Sequence, residues 1–184
     1  MIMQAMSLAG CWHLRCNIHR DARGLFVKPF AMDSFKQTGL RTDFVEDYFS
    51  VSQKGVIRGM HLQRSPHQHA KLVYCSQGST LDVLLDLREG SATYGQSTSV
   101  QLGQAQDAGG FDAVYVCEGV AHGFAALTDG ATVHYKVTSL HNPAADDGVR
   151  WDSFGFAWPK FEFEPIVSAR DAALTRLKDF AALR

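Results

Sequence analysis

With 184 residues and a formal net charge of −1, the chain can bury a sizeable core but carries no Lys/Arg surplus for nucleic acid. Apolar residues make up 46% and charged residues 20%, an ordinary globular balance, and no run approaches the roughly 18 apolar residues of a membrane span. The first ten residues lack a basic n-region, and Cys11, Cys16, Cys75 and Cys117 form no C-x-x-C pair, which together suggest a cytoplasmic protein with free thiols.

Short segments rich in β-branched, aromatic and leucine residues then recur along the chain. The expected strands are Trp12–Ile18, Leu25–Phe30, Phe44–Val51, Val56–Leu62, Lys71–Ser76, Thr80–Leu87, Ser97–Leu102, Ala113–Cys117, Phe124–Leu127 and Thr132–Thr138. Turns are marked by Asp21–Gly24, Gln77–Ser79, Glu89–Gly90, Gly109–Gly110 and Asp129–Gly130. Leu81, Val83, Leu85 and Leu87 alternate with Asp82 and Asp86, which predicts a strand with one buried face. Asp33 is placed to cap a short helix over Ser34–Thr38. Ser168 is placed to cap a longer one over Arg170–Leu183, with Leu174, Leu177, Phe180 and Ala181 at helical spacing. No repeat or linker interrupts residues 1–184, so one domain is expected. Many short strands with peripheral helices and a C-terminal helix suggest an all-β, cupin-like jelly-roll sandwich.

Five motifs stand out: Arg58-Gly-Met-His-Leu-Gln63, Lys71-Leu-Val-Tyr74, Ala121-His-Gly-Phe124, Val133-His-Tyr-Lys136 and Gly148-Val-Arg-Trp-Asp-Ser153. Their order and spacing resemble the dTDP-4-dehydrorhamnose 3,5-epimerase family, whose members invert carbons beside the ketone of a nucleotide-linked 4-keto sugar. The resemblance runs from about Gly10 to Ala173. It implies the same jelly-roll fold, a homodimer whose neighbour completes the sheet and part of the site, and no cofactor or metal. A nucleotide sugar would be the ligand.

Inversion beside a ketone needs a base, a cation for the enolate oxygen and a proton donor on the far face of the ring. The resemblance assigns these roles to His61, Lys71 and Tyr135, with Asp171 orienting the base. Histidine is suited to the first role because an imidazole titrates near physiological pH. Without that likeness His61 reads as a structural strand histidine, Lys71 as a solvated edge charge and Tyr135 as core. Asp171 alone would be a helix acid favoured by the dipole. Arg23 and Arg58 match family arginines suited to a diphosphate, and His122 matches a substrate contact.

Some positions depart from the family pattern. Lys28 stands where a glutamate is common, and Glu46 and Tyr48 replace a glutamine and an asparagine at presumed substrate contacts. Cys117 takes the place of a proline before Ala121–Phe124. Leu140-His141 replaces an aromatic pair. The substituted contacts leave the nucleotide, the sugar and the choice of C3 or C5 open. A second reading is a metal-dependent cupin isomerase or oxygenase using His61, His67, His69 and His122; Val73 stands where such sites often place a glutamate. A third is a non-catalytic sugar-nucleotide-binding module.

Overall fold

A computed structural model of the chain describes residues 1–103 and 110–182. One antiparallel sheet runs, in spatial order, β1 (Ile2–Ala5), β2 (Trp12–Cys16), β10 (Phe111–Val116), β7 (Lys71–Gln77), β12 (Ala131–Val137) and β5 (Glu46–Ser52). The second runs β13 (Asp146–Gly148), β6 (Val56–Gln63), β11 (Val120–Ala126), β8 (Ser79–Asp86) and β9 (Ser97–Gly103). β14 (Ile166–Val167) pairs in parallel with the start of β6. β3 (Ile18–Asp21) and β4 (Gly24–Val27) form a separate two-stranded hairpin. The all-β, cupin-like jelly roll expected from the sequence is thus present.

The sheets face each other through a shared core. Val73, Val114, Val116 and Val133 come from the first sheet, and Leu84, Leu102, Phe124 and Ala126 from the second. These alternate positions lie on inner faces, as the pleat requires. A second cluster, around Met60, Val83, Leu85 and Leu87, is sealed by Phe154, Phe156, Trp158, Leu177 and Phe180 from the C-terminal third. A third gathers Leu14, Leu72 and Tyr115 beneath Phe35 of helix α1 (Met32–Gln37). Among the described residues, no helix is long and apolar enough to cross a membrane.

Several expectations need correction. α1 is capped by Ala31 without a side-chain bond, so Asp33 lies inside the first turn. The long C-terminal helix is absent within the described residues. Helix α2 spans only Ala169–Ala172, Thr175 bridges to Val149, and a 3-10 turn covers Leu177–Asp179. Leu177 and Phe180 are apolar at helical spacing, but a short turn suffices to drop both into the second core. The predicted endpoint, Leu183, lies outside the described residues, as does Gly109 of one predicted turn. Trp12–Ile18 divides into β2 and β3, and the strand expected over Phe124–Leu127 begins earlier, at Val120. Asp82 and Asp86 are both fully buried instead of facing water. Each has partners that the period-2 pattern cannot reveal: His122 and Thr80 for Asp82, and Arg88, Ser91 and Thr93 for Asp86.

Candidate active site

A cavity of about 430 Å³ opens between the two sheets. β5 contributes Glu46, Tyr48 and Ser50; β6 contributes Arg58, His61 and Gln63. Lys71 enters from β7, His122 from β11, and Tyr135 and Val137 from β12. His69, His141, Asp146 and Arg170 also line the cavity.

Arg58 and His61 are three residues apart, so a regular strand would turn them to opposite faces. The pairing of β6 with β11 shifts register between His122 and Phe124, and the irregularity brings both side chains to the cavity. Gly59 sits there at φ +123°, and a Cβ on it would stand 2.5 Å from Gly123 Cα. A Cβ on Gly123 would in turn meet Met60 Sδ at 2.6 Å and Arg58 O at 2.7 Å. The glycines of the two motifs therefore let the backbones of β6 and β11 approach.

His61 Nε2 lies 2.8 Å from Asp171 Oδ1, while Gly59 N–H donates to Asp171 Oδ2 at 3.0 Å. Asp171 is held from behind, because its backbone N–H donates to the Ser168 cap hydroxyl at 3.0 Å. Burial pushes the Asp171 carboxyl up, but the bond and charge of His61, the Gly59 N–H and Arg170 outweigh it; the net displacement is downward. The helix-acid and base-orienting readings of Asp171 are thus compatible.

Lys71 is buried and donates from Nζ to the backbone carbonyl of His61 at 3.0 Å, which fixes the ammonium against the backbone of β6. Burial, together with the charge of Arg170 and against that of Asp146, brings its pKa down to about 8. Tyr135 is also buried, and desolvation followed by the charge of Asp82 pushes its phenol up. A phenol so placed holds its proton firmly. Tyr48, its direct cross-strand partner, stacks on it with ring centroids 5.0 Å apart and planes 19° off parallel. His122 Nε2 lies 2.7 Å from Asp82 Oδ1, both side chains buried. A histidine paired with a carboxylate, a buried ammonium and a protonated phenol thus converge on one space, a set competent for proton transfer beside a carbonyl.

The model of the dTDP-4-dehydrorhamnose 3,5-epimerase family matches residues 5–179. The chain belongs to this family. It is 39% identical over 168 residues to the dTDP-4-dehydrorhamnose 3,5-epimerase of Methanothermobacter thermautotrophicus, covering 90% of this chain and 88% of that one. Its fold superposes on the Mycobacterium tuberculosis rmlC epimerase with a TM-score of 0.91 at 36% identity, covering 97% and 90% of the two chains. It is also similar to ChmJ, a 3'-monoepimerase from Streptomyces bikiniensis solved with dTDP-quinovose, at TM-score 0.88 and 34% identity over 96% and 88% of the chains. The protein is accordingly a sugar-nucleotide epimerase, an isomerase that takes and returns a proton beside a 4-keto group.

Not every residue expected at the epimerase site lines this cavity. His61, Lys71, Tyr135, Arg58, His122, Glu46 and Tyr48 line it, and Asp171 touches it through His61. Arg23 and Lys28 do not. Arg23 sits on the exposed turn of the β3–β4 hairpin, paired with Asp21, and Lys28 follows β4 beside Asn17, His19 and Phe26. The histidines of the metal reading are turned to separate partners: His61 to Asp171, His122 to Asp82, His67 to Asn142 and His69 to Gln63. Among the described residues, no group of three or more His, Cys, Asp or Glu is arranged to hold a metal ion. Sequence reasoning missed Asp82, Asp146 and Arg170. Arg170 bridges the site, with Nη1 3.3 Å from His61 Nε2 and Nη2 on Asp146. Only its place beside Asp171 could have signalled it.

Proposed function

We propose that residues 1–184 act as one catalytic domain that inverts C3, C5 or both of a nucleoside-diphosphate-linked 4-keto-6-deoxy sugar, without metal or cofactor. The observation that carries this reading is the His61–Asp171 pair with Lys71 Nζ 3.0 Å from the His61 carbonyl in one cavity. With Asp171 accepting from Nε2, the neutral ring keeps its lone pair on Nδ1. That nitrogen takes the proton from the carbon beside the ketone, and Asp171 stabilises the imidazolium. Lys71 neutralises the enolate oxygen. Tyr135 delivers a proton to the opposite face, and returning the carbonyl completes the inversion. Arg58 and His122 hold the substrate. A pure binding module would have no use for a buried phenol and a base at the same cavity.

Arg23, on the β3–β4 hairpin, and Lys28, just after it, do not line their own cavity, and Leu25 and Phe26 are exposed beside them. In the homodimer that the family likeness suggests, the hairpin serves the neighbour's cavity and Arg23 meets the diphosphate there. Glu46 and Tyr48 line the cavity, and Glu46 accepts from the His141 backbone N–H at 3.1 Å. They alter charge and hydrogen bonding there and loosen the preference for thymine. The enzyme works in the cytoplasm, where nucleotide sugars are made.

The test is product stereochemistry. The protein is incubated with dTDP-, UDP-, GDP- and CDP-linked 4-keto-6-deoxyglucose, and ring coupling constants are read by NMR. Inversion at C3, C5 or both with at least one nucleotide supports the reading. Unchanged sugars across the panel would refute it.

A further inference from the structure

Cys11 and Cys117 lie outside the catalytic cavity and take no part in the mechanism. Their sulfurs are 3.7 Å apart although the residues are 106 positions apart in sequence. Tyr115 pairs with Trp12 at the end of the β2–β10 ladder, so the two cysteines are diagonal neighbours just beyond it. Cys11 is buried; Cys117 is partly exposed in a surface cleft with Ala9, Gly10, Arg41, Arg88 and Glu118.

The surroundings of Cys117 favour an anion. Arg88 Nη1 donates to its Sγ at 3.4 Å, and Cys11 can donate its S–H from the other side. When Cys117 is instead protonated, its S–H faces the Ala9 carbonyl at 3.5 Å. The bond from Cys11, then the charge of Arg88, lower the Cys117 pKa despite burial, while the same contact and burial raise that of Cys11. Two glycines make the space. A Cβ on Gly10, at φ +85°, would stand 3.0 Å from Cys117 Sγ, and one on Gly119, at φ +77°, would meet Arg88 Cγ at 2.5 Å. Cys16 and Cys75 are the contrast: both are buried, and desolvation pushes each thiol up to about 11.

We propose that Cys117 and Cys11 form a peroxide-reactive dithiol, with Cys117 the attacking sulfur and Cys11 the resolving one. The Cys117 thiolate displaces hydroxide from hydrogen peroxide; an S–O bond forms, the O–O bond breaks, the sulfur is oxidised to a sulfenic acid, and the hydroxide takes up the proton that Cys117 released on ionising and leaves as water. Cys11 then attacks that sulfur, the S–S bond forms and the S–O bond breaks. The departing hydroxide takes the Cys11 proton and leaves as water. The sum is two thiols and one peroxide giving one disulfide and two waters. The bridge ties the segment before β2 to the turn between β10 and β11.

The 184-residue chain is treated with hydrogen peroxide and then unfolded, its remaining thiols are counted, and its peptides are mapped by mass spectrometry. The expected result is loss of Cys11 and Cys117 from the four thiols, a peptide linking residues 11 and 117, and reaction at least about tenfold faster than at Cys16 or Cys75. Cys11→Ser should halt the reaction at a dimedone-trapped sulfenic acid on Cys117, and Cys117→Ser should leave Cys11 unreactive. Four thiols surviving, equal reaction at Cys16 or Cys75, or Cys11 oxidising as fast in Cys117→Ser as in the parent would overturn the proposal.

Discussion

The proposed division of labour among His61, Lys71 and Tyr135 separates experimentally at the level of single residues. In Tyr135→Phe the base can still remove and return a proton on its own face. Solvent deuterium should therefore enter the sugar at a rate near that of the parent while inversion falls by about 10²-fold or more. Equal loss of both would give Tyr135 a part in the first step. If Lys71 holds the enolate oxygen as proposed, it sets the alkaline side of the pH profile. Its pKa of about 8 means that kcat/KM falls as pH rises through that value and the ammonium is lost. In Lys71→Arg the fall should move to higher pH because a guanidinium stays charged. An unchanged profile would remove Lys71 from enolate stabilisation. The linked effect on stability has a definite sign. The pKa is depressed from an ordinary 10.5, so between about pH 8 and 10.5 the unfolded chain holds a proton that the folded chain has released. The penalty for burying Lys71 therefore shrinks as pH rises through that window. That these side chains meet in one cavity was legible from the short motifs that resemble the family's. The burial of Asp82 was not: a strand aspartate between Leu81 and Val83 reads as outward-facing until His122, 40 residues away, is brought against it.

Among elements, β6 brings two candidate site residues to the cavity within four positions, because its irregularity at Gly59 turns Arg58 and His61 the same way. Gly59→Ala would force a side chain into a left-handed backbone conformation and into Gly123, so it should destabilise the fold by about 2–4 kcal/mol and reduce activity. A denaturant midpoint unchanged from the parent would contradict that account of the motif. Most central strands could be found from apolar runs and turn residues. The pattern fails where long-range partners decide: β1, β13 and β14 are short edge or flanking pieces whose sequences carry little periodicity. The C-terminal segment shows the same limit. Its spacing at Leu177 and Phe180 suits a helix, yet Thr175 is drawn into a bridge with Val149 and the chain turns instead.

At the scale of the whole molecule, the hairpin bearing Arg23 does not line its own cavity. If it serves the neighbour in a homodimer, Arg23→Ala and His61→Ala proteins that are each inactive should complement one another when unfolded and refolded together. Random reassortment makes half of the dimers mixed, each with one intact site, so about a quarter of parental activity should return. No recovery, with mixed dimers confirmed by mass, would place Arg23 outside the catalytic assembly. The claim on which everything else rests is that His61 removes the proton beside the ketone. It is tested most directly by deuterium uptake from heavy water into a 4-keto-6-deoxy sugar nucleotide, measured by mass spectrometry for the parent and for His61→Ala. The account predicts uptake at the inverted carbon or carbons in the parent and none above background in the variant, with ligand affinity kept within about tenfold. Parental exchange in His61→Ala would contradict it.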